Sequence, residues 1–294
     1  MVQIRCSHTL AVIAASVAFT FSVQAAANRT FVSTGGNDSN TSLNCGATTP
    51  CRTFGAALSV TNSGGEIVVL TSGGYGPASI TQPVTITAIG VTASVTATGG
   101  ADGLTINTTG NVTINGLGFH GMGSGAYGII VWNAGLLRLD NVTVEGFSFE
   151  GIWLPPSSAS FAIYDSYISD NAVGLSFAGT GNGFVKNTIF DHNQDGFTQA
   201  WGDVVVEDSA VRSNSNAGFN ALGGALSLIR VDVVQNGIGI NATGGTTQFS
   251  YSNITQNTNY AIKVAGGTVA GSNPGTSVVS GSVSGSLAAA VSLQ

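Results

Sequence analysis

Three short stretches decide the fold of this chain: DNAVGLSF at residues 170–177, DHNQDGFT at residues 191–198 and SNSNAGFN at residues 213–220. Each contains an asparagine, a glycine three or four residues later and an apolar residue directly after that glycine. The asparagines recur every 21 or 22 residues, at Asn171, Asn193, Asn214, Asn236 and Asn257. A fixed period of this length is typical of a solenoid, in which each repeat forms one coil.

Apolar residues keep the same period at three other positions of the repeat. One series follows the glycines and consists of Ile152, Leu175, Phe197, Phe219, Ile240 and Ile262. The other two are Leu139, Ile163, Val185, Val206, Leu228 and Phe249, and Val144, Ile168, Phe190, Val211, Val233 and Ile254. A repeat of ~22 residues has room for three short strands and is too short for a propeller blade. We therefore predict an all-β, single-stranded parallel β-helix of about ten coils, with these series in its core.

The asparagine series is interpreted as structural. Asn tolerates the left-handed turn conformation, and stacked amides can hydrogen-bond to one another along the solenoid. The glycine series marks a second position where the backbone turns or neighbouring coils crowd.

Composition and charge argue against several classes of protein. Charged residues make up 7% of the chain, against about 25% in an ordinary soluble domain. Disorder requires high charge and low hydrophobicity, and a membrane-spanning helix requires ~18 consecutive apolar residues, which the sequence after residue 27 does not contain. The acidic balance and the lack of a Lys/Arg cluster argue against binding to nucleic acid.

Residues 1–27 are typical of a signal peptide. Arg5 precedes an apolar run at residues 10–23, and small residues follow at positions 25–27. A membrane anchor is the alternative, but the apolar run is short and no basic stop signal follows it. We expect a protein exported to the periplasm or the extracellular space, whose mature chain carries 7 basic and 14 acidic residues.

Residues 28–65 are predicted to form an N-terminal segment, and residues 66–294 the β-helix, as one domain. Within the segment, RTFGAALSVTNSGG at residues 52–65 is predicted to form a short amphipathic helix that ends at its glycine pair. A parallel β-helix exposes unpaired strand edges at its ends, so we expect this helix to cap the first coil.

Two cysteines remain after the signal peptide, in NCGATTPC at residues 44–51. In an exported protein, Cys45 and Cys51 are most simply interpreted as a disulfide. A zinc site needs two more soft ligands, and no His, Asp or Glu lies between Asp38 and Glu66.

The N-terminal segment also carries a family resemblance. FVSTGGNDSN at residues 31–40, NCGATTPCRTFGAAL at residues 44–58 and GGEIVVLTSGGYG at residues 64–76, followed by the Asn-laddered coils, resemble the secreted pectin-lyase-like right-handed parallel β-helix superfamily. The resemblance covers essentially the whole mature chain and implies a right-handed solenoid, export and a polysaccharide partner. The paired-Asp motifs of the polygalacturonase branch are not found, so none of its catalytic residues is carried over.

In members of that superfamily with an Asn ladder at one turn, the carbohydrate groove lies along the strand two turns away. The resemblance places Asp140, Tyr164, Lys186 and Glu207 there as candidate catalytic residues, with Arg138 beside them as a binding residue. Carboxylates on this strip could hold Ca²⁺, and Lys186 or Arg138 could abstract or steer a proton. The alternative, which we favour, is a stack in which charges on neighbouring strands simply pair.

A second polar group lies near the Asn turn and contains Asp170, Asp191, His192, Asp195 and Arg212. The period places Asp191 and Arg212 at matching positions on adjacent coils, which predicts a surface ion pair. A metal site is the alternative, although the spacing matches no known site.

The three tryptophans, Trp132, Trp153 and Trp201, are candidate binding residues. The period puts Trp153 in an outward column, where an indole can stack on a sugar ring. Covering an apolar patch of the coil explains it equally well.

Two functions fit these patterns. The first is a monomeric, non-catalytic carbohydrate-binding or surface-platform protein, favoured because turns stay short from residues 187 to 265 and a negative protein repels a polyanion. The alternative is a lyase or hydrolase of an acidic polysaccharide.

Overall fold

The structure, a computed structural model, describes residues 26–271 and 276–288. Residues 1–25, which hold nearly all of the predicted signal peptide, lie outside the described residues. The described chain winds into a parallel β-helix in which each coil adds one strand to each of three sheets, here named A, B and C in the order in which the chain visits them.

Every sheet is parallel, and its strands follow one another along the solenoid axis. In sheet A the described strands are Ala27–Val32, Thr61–Val69, Val84–Thr87, Val112–Asn115, Leu136–Asp140, Ser160–Tyr164, Asn182–Lys186, Asp203–Glu207, Ala225–Ile229, Thr246–Ser250 and Thr268–Gly271. In sheet B they are Gly73–Gly74, Ala93–Thr96, Leu117–Gly125, Thr143–Phe147, Tyr167–Ser169, Ile189–Asp191, Ala210–Arg212, Asp232–Val234, Asn253–Thr255 and Val278–Val279. In sheet C they are Ala78–Ile80, Leu104–Asn107, Ile129–Asn133, Glu150–Leu154, Val173–Phe177, Asp195–Gln199, Ala217–Ala221, Ile238–Ala242, Tyr260–Val264 and Val283–Ser284. The prediction of about ten coils is confirmed.

The three apolar series read from the sequence lie in the core. All of their members are buried, one series in each sheet. On sheet C, for example, Phe197 is in register with Leu175 and Phe219, and the rings of Phe197 and Phe219 lie 6.0 Å apart. Burying each such side chain contributes about 1.5–3 kcal/mol. The series therefore form one continuous core along the solenoid axis.

The asparagine series forms the predicted ladder at the turn between sheets B and C. Each side-chain amide donates to the next Asn Oδ1, as from Asn193 Nδ2 to Asn214 Oδ1 at 3.2 Å and from Asn214 Nδ2 to Asn236 Oδ1 at 2.8 Å. The backbone N–H of Asn193 also donates to Asn214 Oδ1, at 3.0 Å. The residue before each ladder position is left-handed, with φ from 54° to 59° at Asp170, His192, Ser213, Gln235 and Gln256. These bonds satisfy buried backbone groups, which confirms the structural interpretation.

The N-terminal segment covers the first coil. The strand Ala27–Val32 pairs with Thr61–Val69 at the edge of sheet A, and the helix Phe54–Val60 contacts the first strands of sheets A and C. A short 3-10 helix, Asp38–Leu43, precedes it. The predicted disulfide is present, with the Cα atoms of Cys45 and Cys51 4.9 Å apart and both side chains buried.

The end of the capping helix differs from the prediction. The helix stops at Val60, and the pair Gly64–Gly65 lies inside the following strand. Thr61 is buried and its hydroxyl contacts that of Thr30 at 2.8 Å, so strand pairing replaces the helix there. A Cβ on Gly65 would lie 2.9 Å from the carbonyl oxygen of Asn28. This glycine therefore allows close strand approach and does not stop the helix. No helix in the described ranges is long and apolar enough to cross a membrane.

Candidate functional site

The four candidate catalytic residues lie side by side on the outer face of sheet A. Asp140, Tyr164, Lys186 and Glu207 occupy one register position on four successive strands. We call this column the sheet A strip. The sequence period predicted this alignment, because strands that pair in constant register keep equivalent residues ~4.8 Å apart.

The upper half of the strip is held by Arg138. Its Nε lies 2.7 Å from Asp140 Oδ2 and its Nη2 lies 3.0 Å from Asp140 Oδ1, a bidentate pair. The same guanidinium lies 4.3 Å from the ring centroid of Tyr164. The hydrogen bond to Asp140 is the main cause that raises the pKa of Arg138. Asp140 is therefore engaged by a cation.

The lower half of the strip is also paired. Lys186 Nζ lies 3.4 Å from Glu207 Oε2 and 3.5 Å from Asp208 Oδ2. Arg230 adds a bond of 3.0 Å from Nη2 to Asp208 Oδ2 and a contact of 3.8 Å to Glu207. The hydrogen bond from Arg230 is the main cause that lowers the pKa of Asp208. This geometry is that of a charge ladder, in which each exposed pair contributes about 0–1 kcal/mol to stability.

The carboxylates of the sheet A strip were candidate ligands for Ca²⁺. In the part of the chain that the structure describes, no group of three or more His, Cys, Asp or Glu side chains is placed to hold a metal ion. The carboxylates of the sheet A strip instead face Arg138, Lys186 and Arg230.

The second polar group is partly brought together on sheet B. Asp191 has only 6% of its side chain exposed and contacts Arg212 Nη2 at 3.2 Å, Tyr167 Oη at 2.9 Å and His192 Nδ1 at 2.9 Å. The predicted ion pair is thus present, but its carboxylate is buried. Burial, followed by the hydrogen bond to Asp191, raises the pKa of Tyr167. Asp195 lies apart, on sheet C.

Three polar residues of sheet B, Tyr167, His120 and Glu145, were not predicted from the sequence as members of a polar group. Tyr167 lies outside the Asp191 register position, and only its long side chain reaches that carboxylate. His120 and Glu145 form a second pair at 2.9 Å, and they fall in upstream coils whose spacing is less regular. The coil period alone could not align them.

Two of the three tryptophans contribute to an aromatic cluster on the outer face of sheet C. Trp153 stacks on Tyr127 at a centroid distance of 4.9 Å and contacts Trp132 edge-on at 5.5 Å. Tyr127 also stacks on Phe149, at 5.5 Å. Trp132 is 49% and Phe149 55% exposed. We call these four residues the aromatic platform.

Trp201 belongs elsewhere. It is 62% exposed and lies in the turn between Asp195–Gln199 of sheet C and Asp203–Glu207 of sheet A. The tryptophans therefore do not share one surface, and none of them lies on the sheet A strip.

The platform rests on paired strands of sheet C. Ile130 is paired between Thr105 and Trp153 at an outward register position, yet only 2% of its surface is exposed. Neighbouring side chains therefore cover it, and the platform sits on an apolar base. Val131 is buried, so the alternation of side chains along the strand places Trp132 outward, beside Trp153.

Two carboxylates border the platform. Leu104, Ile129 and Ile152 are in register, so the residues two positions earlier, Asp102, Tyr127 and Glu150, also lie on successive coils. Burial raises the pKa of both carboxyls.

Both carboxylates also act on the tyrosine between them. Burial is the main cause that raises the pKa of Tyr127, and the negative charges of Glu150 and Asp102 raise it further. Within the described residues, neither carboxylate forms an ion pair.

A polar cleft continues from this border toward the N-terminal helix. It has a volume of about 460 Å³ and is lined by Gly55, Pro77, Ala78, Ser79, Asp102, Gly103 and Thr105. One register position on four successive coils holds Ser79, Thr105, Ile130 and Trp153. Platform and cleft thus form one surface along sheet C.

A comparison with known protein families identifies the family of this chain. The family described as "Right handed beta helix region" matches residues 102–273, more than half of the chain. No curated protein matches the sequence.

Solved structures share the fold at low identity. The crystal structure of pectate lyase Pel9A has a TM-score of 0.60 and 16% identity, over 89% of this chain and 80% of that one. The alginate lyase from Paenibacillus sp. str. FPU-7 has a TM-score of 0.51 and 18% identity, over 90% and 100% of the two chains. The Azotobacter vinelandii mannuronan C-5 epimerase AlgE4 A-module has a TM-score of 0.51 and 16% identity, over 71% and 80%. At these identities the likeness shows the fold alone.

Proposed function

The chain belongs to the right-handed β-helix family. We propose that it is an exported, non-catalytic polysaccharide-binding protein whose ligand lies on the aromatic platform. The observation that carries the proposal is the platform itself. Four aromatic rings contact one another on an open face, with Trp132 and Phe149 about half exposed. Contiguous exposed apolar patches of this kind mark interaction sites.

The chemistry of the platform suits a sugar. Aromatic side chains offer a large apolar face with a polar tip, and a pyranose offers a face of C–H groups ringed by hydroxyls. Trp132, Trp153 and Tyr127 stand on or beside paired strands, which reduces the conformational entropy that is lost on binding. Polar groups for hydroxyls lie next to them, at Asp102 and Thr105.

Export is part of the same proposal. A buried disulfide between Cys45 and Cys51 suits an oxidising compartment, and the sequence of residues 1–27 is typical of a signal peptide. Extracellular polysaccharides are available to a protein in that compartment.

The test is binding of the purified mature protein to a panel of soluble polysaccharides, measured by affinity electrophoresis and calorimetry. Trp153→Ala removes the central ring, which contacts both Tyr127 and Trp132, and we expect it to weaken binding about tenfold or more, or ~1.4 kcal/mol. Tyr251→Asn is the matched control, because Tyr251 is 64% exposed in a turn far from the platform and its φ of 52° suits Asn. Equal loss in both variants, or no binding to any polysaccharide, would refute the proposal.

A lyase or hydrolase of an acidic polysaccharide is the second candidate. It is favoured by the half-exposed cations Arg138, Lys186 and Arg230 on or beside the sheet A strip, which could attract a polyanion. If this activity exists, Lys186→Ala should reduce turnover by ~10²–10⁴-fold through loss of a proton acceptor. An assay for new reducing ends and unsaturated products, run with and without Ca²⁺, tests for this activity.

A further inference from the structure

We propose that the platform's ligand is a glycan that carries free amino groups, and that Asp102 and Glu150 recognise those groups on either side of Tyr127. This inference rests on the proposed function and adds the charge class of the ligand. It concerns sheet C only and makes no use of the sheet A strip.

The first argument is that these two carboxylates lack a cationic partner among the described residues. On sheet A the two carboxylates of the strip are engaged, Asp140 by Arg138 and Glu207 by Lys186. Glu150 and Asp102 are partly buried, and burial penalises their charged forms. A cation supplied by a ligand would relieve that cost.

The second argument is where the protein places its own cations. The described basic residues other than Lys263 lie on sheets A and B, in the turn between them or in the N-terminal segment; they are Arg29, Arg52, Arg138, Lys186, Arg212 and Arg230. Lys263 is on sheet C but five strands from Trp153 along the register. At ~4.8 Å per strand that is about 24 Å, and charges beyond ~8 Å are largely screened at physiological salt. In the described part of sheet C, no Lys or Arg therefore lies close to the platform.

The third argument is the combination of rings and carboxylates. An ammonium group over the face of Trp or Tyr gains about 0.5–2 kcal/mol, and a charge-assisted hydrogen bond to a carboxylate adds to that. Tyr127 lies between the two carboxylates and stacks on Trp153, so one bound sugar can use both kinds of contact. A uronic acid placed at the same point would be repelled by both carboxylates.

The cleft beside the platform indicates a chain of sugars. Its hydroxyl-bearing side chains, Ser79 and Thr105, continue the Trp153 register position toward the N-terminal helix. Asp102 lines the cleft and also borders the platform. A glycan lying along the solenoid axis would therefore meet Glu150, the rings and Asp102 in succession.

The experiment compares a hexamer of glucosamine with the corresponding hexamer of N-acetylglucosamine, by calorimetry at low salt and at a pH where the amines are protonated. We expect the glucosamine hexamer to bind at least about tenfold more tightly, since acetylation removes the charge. Glu150→Gln should weaken glucosamine binding about tenfold and leave binding of the acetylated hexamer unchanged. Asp232→Asn is the control, because Asp232 is an exposed acid on sheet B.

The outcomes separate this inference from the proposed function. Equal binding of the two hexamers, abolished by Trp153→Ala and insensitive to Glu150→Gln, would overturn the amino-sugar assignment and keep the platform as a glycan site. If Trp153→Ala has no effect on any glycan, both proposals fail. A preference for the amine that disappears in Glu150→Gln but not in Asp232→Asn supports the assignment.

Discussion

Sheets A and C bury the same pattern of apolar residues, but their outer faces differ in how their charged side chains are paired. On sheet A, Asp140, Lys186 and Glu207 are each matched by a neighbouring charge of opposite sign. On sheet C, Glu150 and Asp102 stand without ion pairs beside four contacting rings. In the proposed function, the ligand lies on the face that combines unpaired, partly buried carboxylates with an exposed apolar patch. The contrast locates the candidate site on sheet C.

The largest expected effect concerns the apolar core, which lies beneath both faces. Phe219→Asp places an unpaired charge inside the core and should unfold the protein, because burying a charge costs several kcal/mol. Asn220→Asp changes the adjacent outward residue, whose side-chain oxygen accepts a hydrogen bond from Asn241. The control should melt near the parent temperature. Cooperative melting of Phe219→Asp at that temperature would contradict the inward assignment.

The next effect concerns the Asn ladder, which supports both faces. Asn214→Ala leaves the buried N–H groups of Asn193 without their acceptor and should lower the free energy of unfolding by about 1–3 kcal/mol per group. Glycan affinity of the folded protein should not change. Asn182→Ala, at an exposed position of sheet A, is the control for stability. A selective loss of binding in Asn214→Ala would assign the ladder a functional role.

A smaller effect separates the two outer surfaces. Lys186→Ala breaks exposed pairs with Glu207 and Asp208 and should lower the free energy of unfolding by no more than about 1 kcal/mol. Binding at the platform should stay at the parent level, as measured by calorimetry. If Lys186→Ala and Trp153→Ala weaken the same glycan equally, one ligand spans both sheets and the distinction between the faces is lost.

The smallest expected effect is a change in Tm on neutralising one carboxylate, and its sign should differ between the two faces. Burial raises the pKa of Glu150 above its ordinary value, so its ionised form destabilises the fold at neutral pH and this cost disappears as pH falls through that pKa. Glu150→Gln should therefore raise Tm slightly at neutral pH and not at acid pH. Arg230 lowers the pKa of Asp208. The ionised Asp208 therefore stabilises the fold above the ordinary Asp pKa, and this stabilisation is lost as pH falls through the lowered pKa of Asp208. Asp208→Asn should lower Tm slightly at neutral pH, and equal signs in the two melting series would contradict the comparison.

Much of the fold and part of the site were predictable from the sequence. The columns Asn171–Asn257 and Asp140–Glu207 were aligned correctly because downstream coils keep one length, and the order of residues then gives the register. Tyr127 and Phe149 were missed because the coils before residue 150 are longer and less regular, so that period does not extend to them. A register shift between Val131 and Asn133, next to Trp132, is likewise not encoded by the repeat. The end of the capping helix was misplaced because strand pairing of Thr61 with the N-terminal strand outweighs the glycine pair as a signal.

The sequence by itself determined which residues face inward and which share a column, because a parallel solenoid repeats one register and side chains alternate along each strand. Only the tertiary structure decided which columns of different strands share a surface. That depends on the turns between sheets, whose left-handed residues set the angle from one sheet to the next, and on local shifts in register. For this reason Trp153 and Glu207, both read from the sequence as outward, lie on different sheets, while Tyr127, never singled out, stands at the centre of the candidate site.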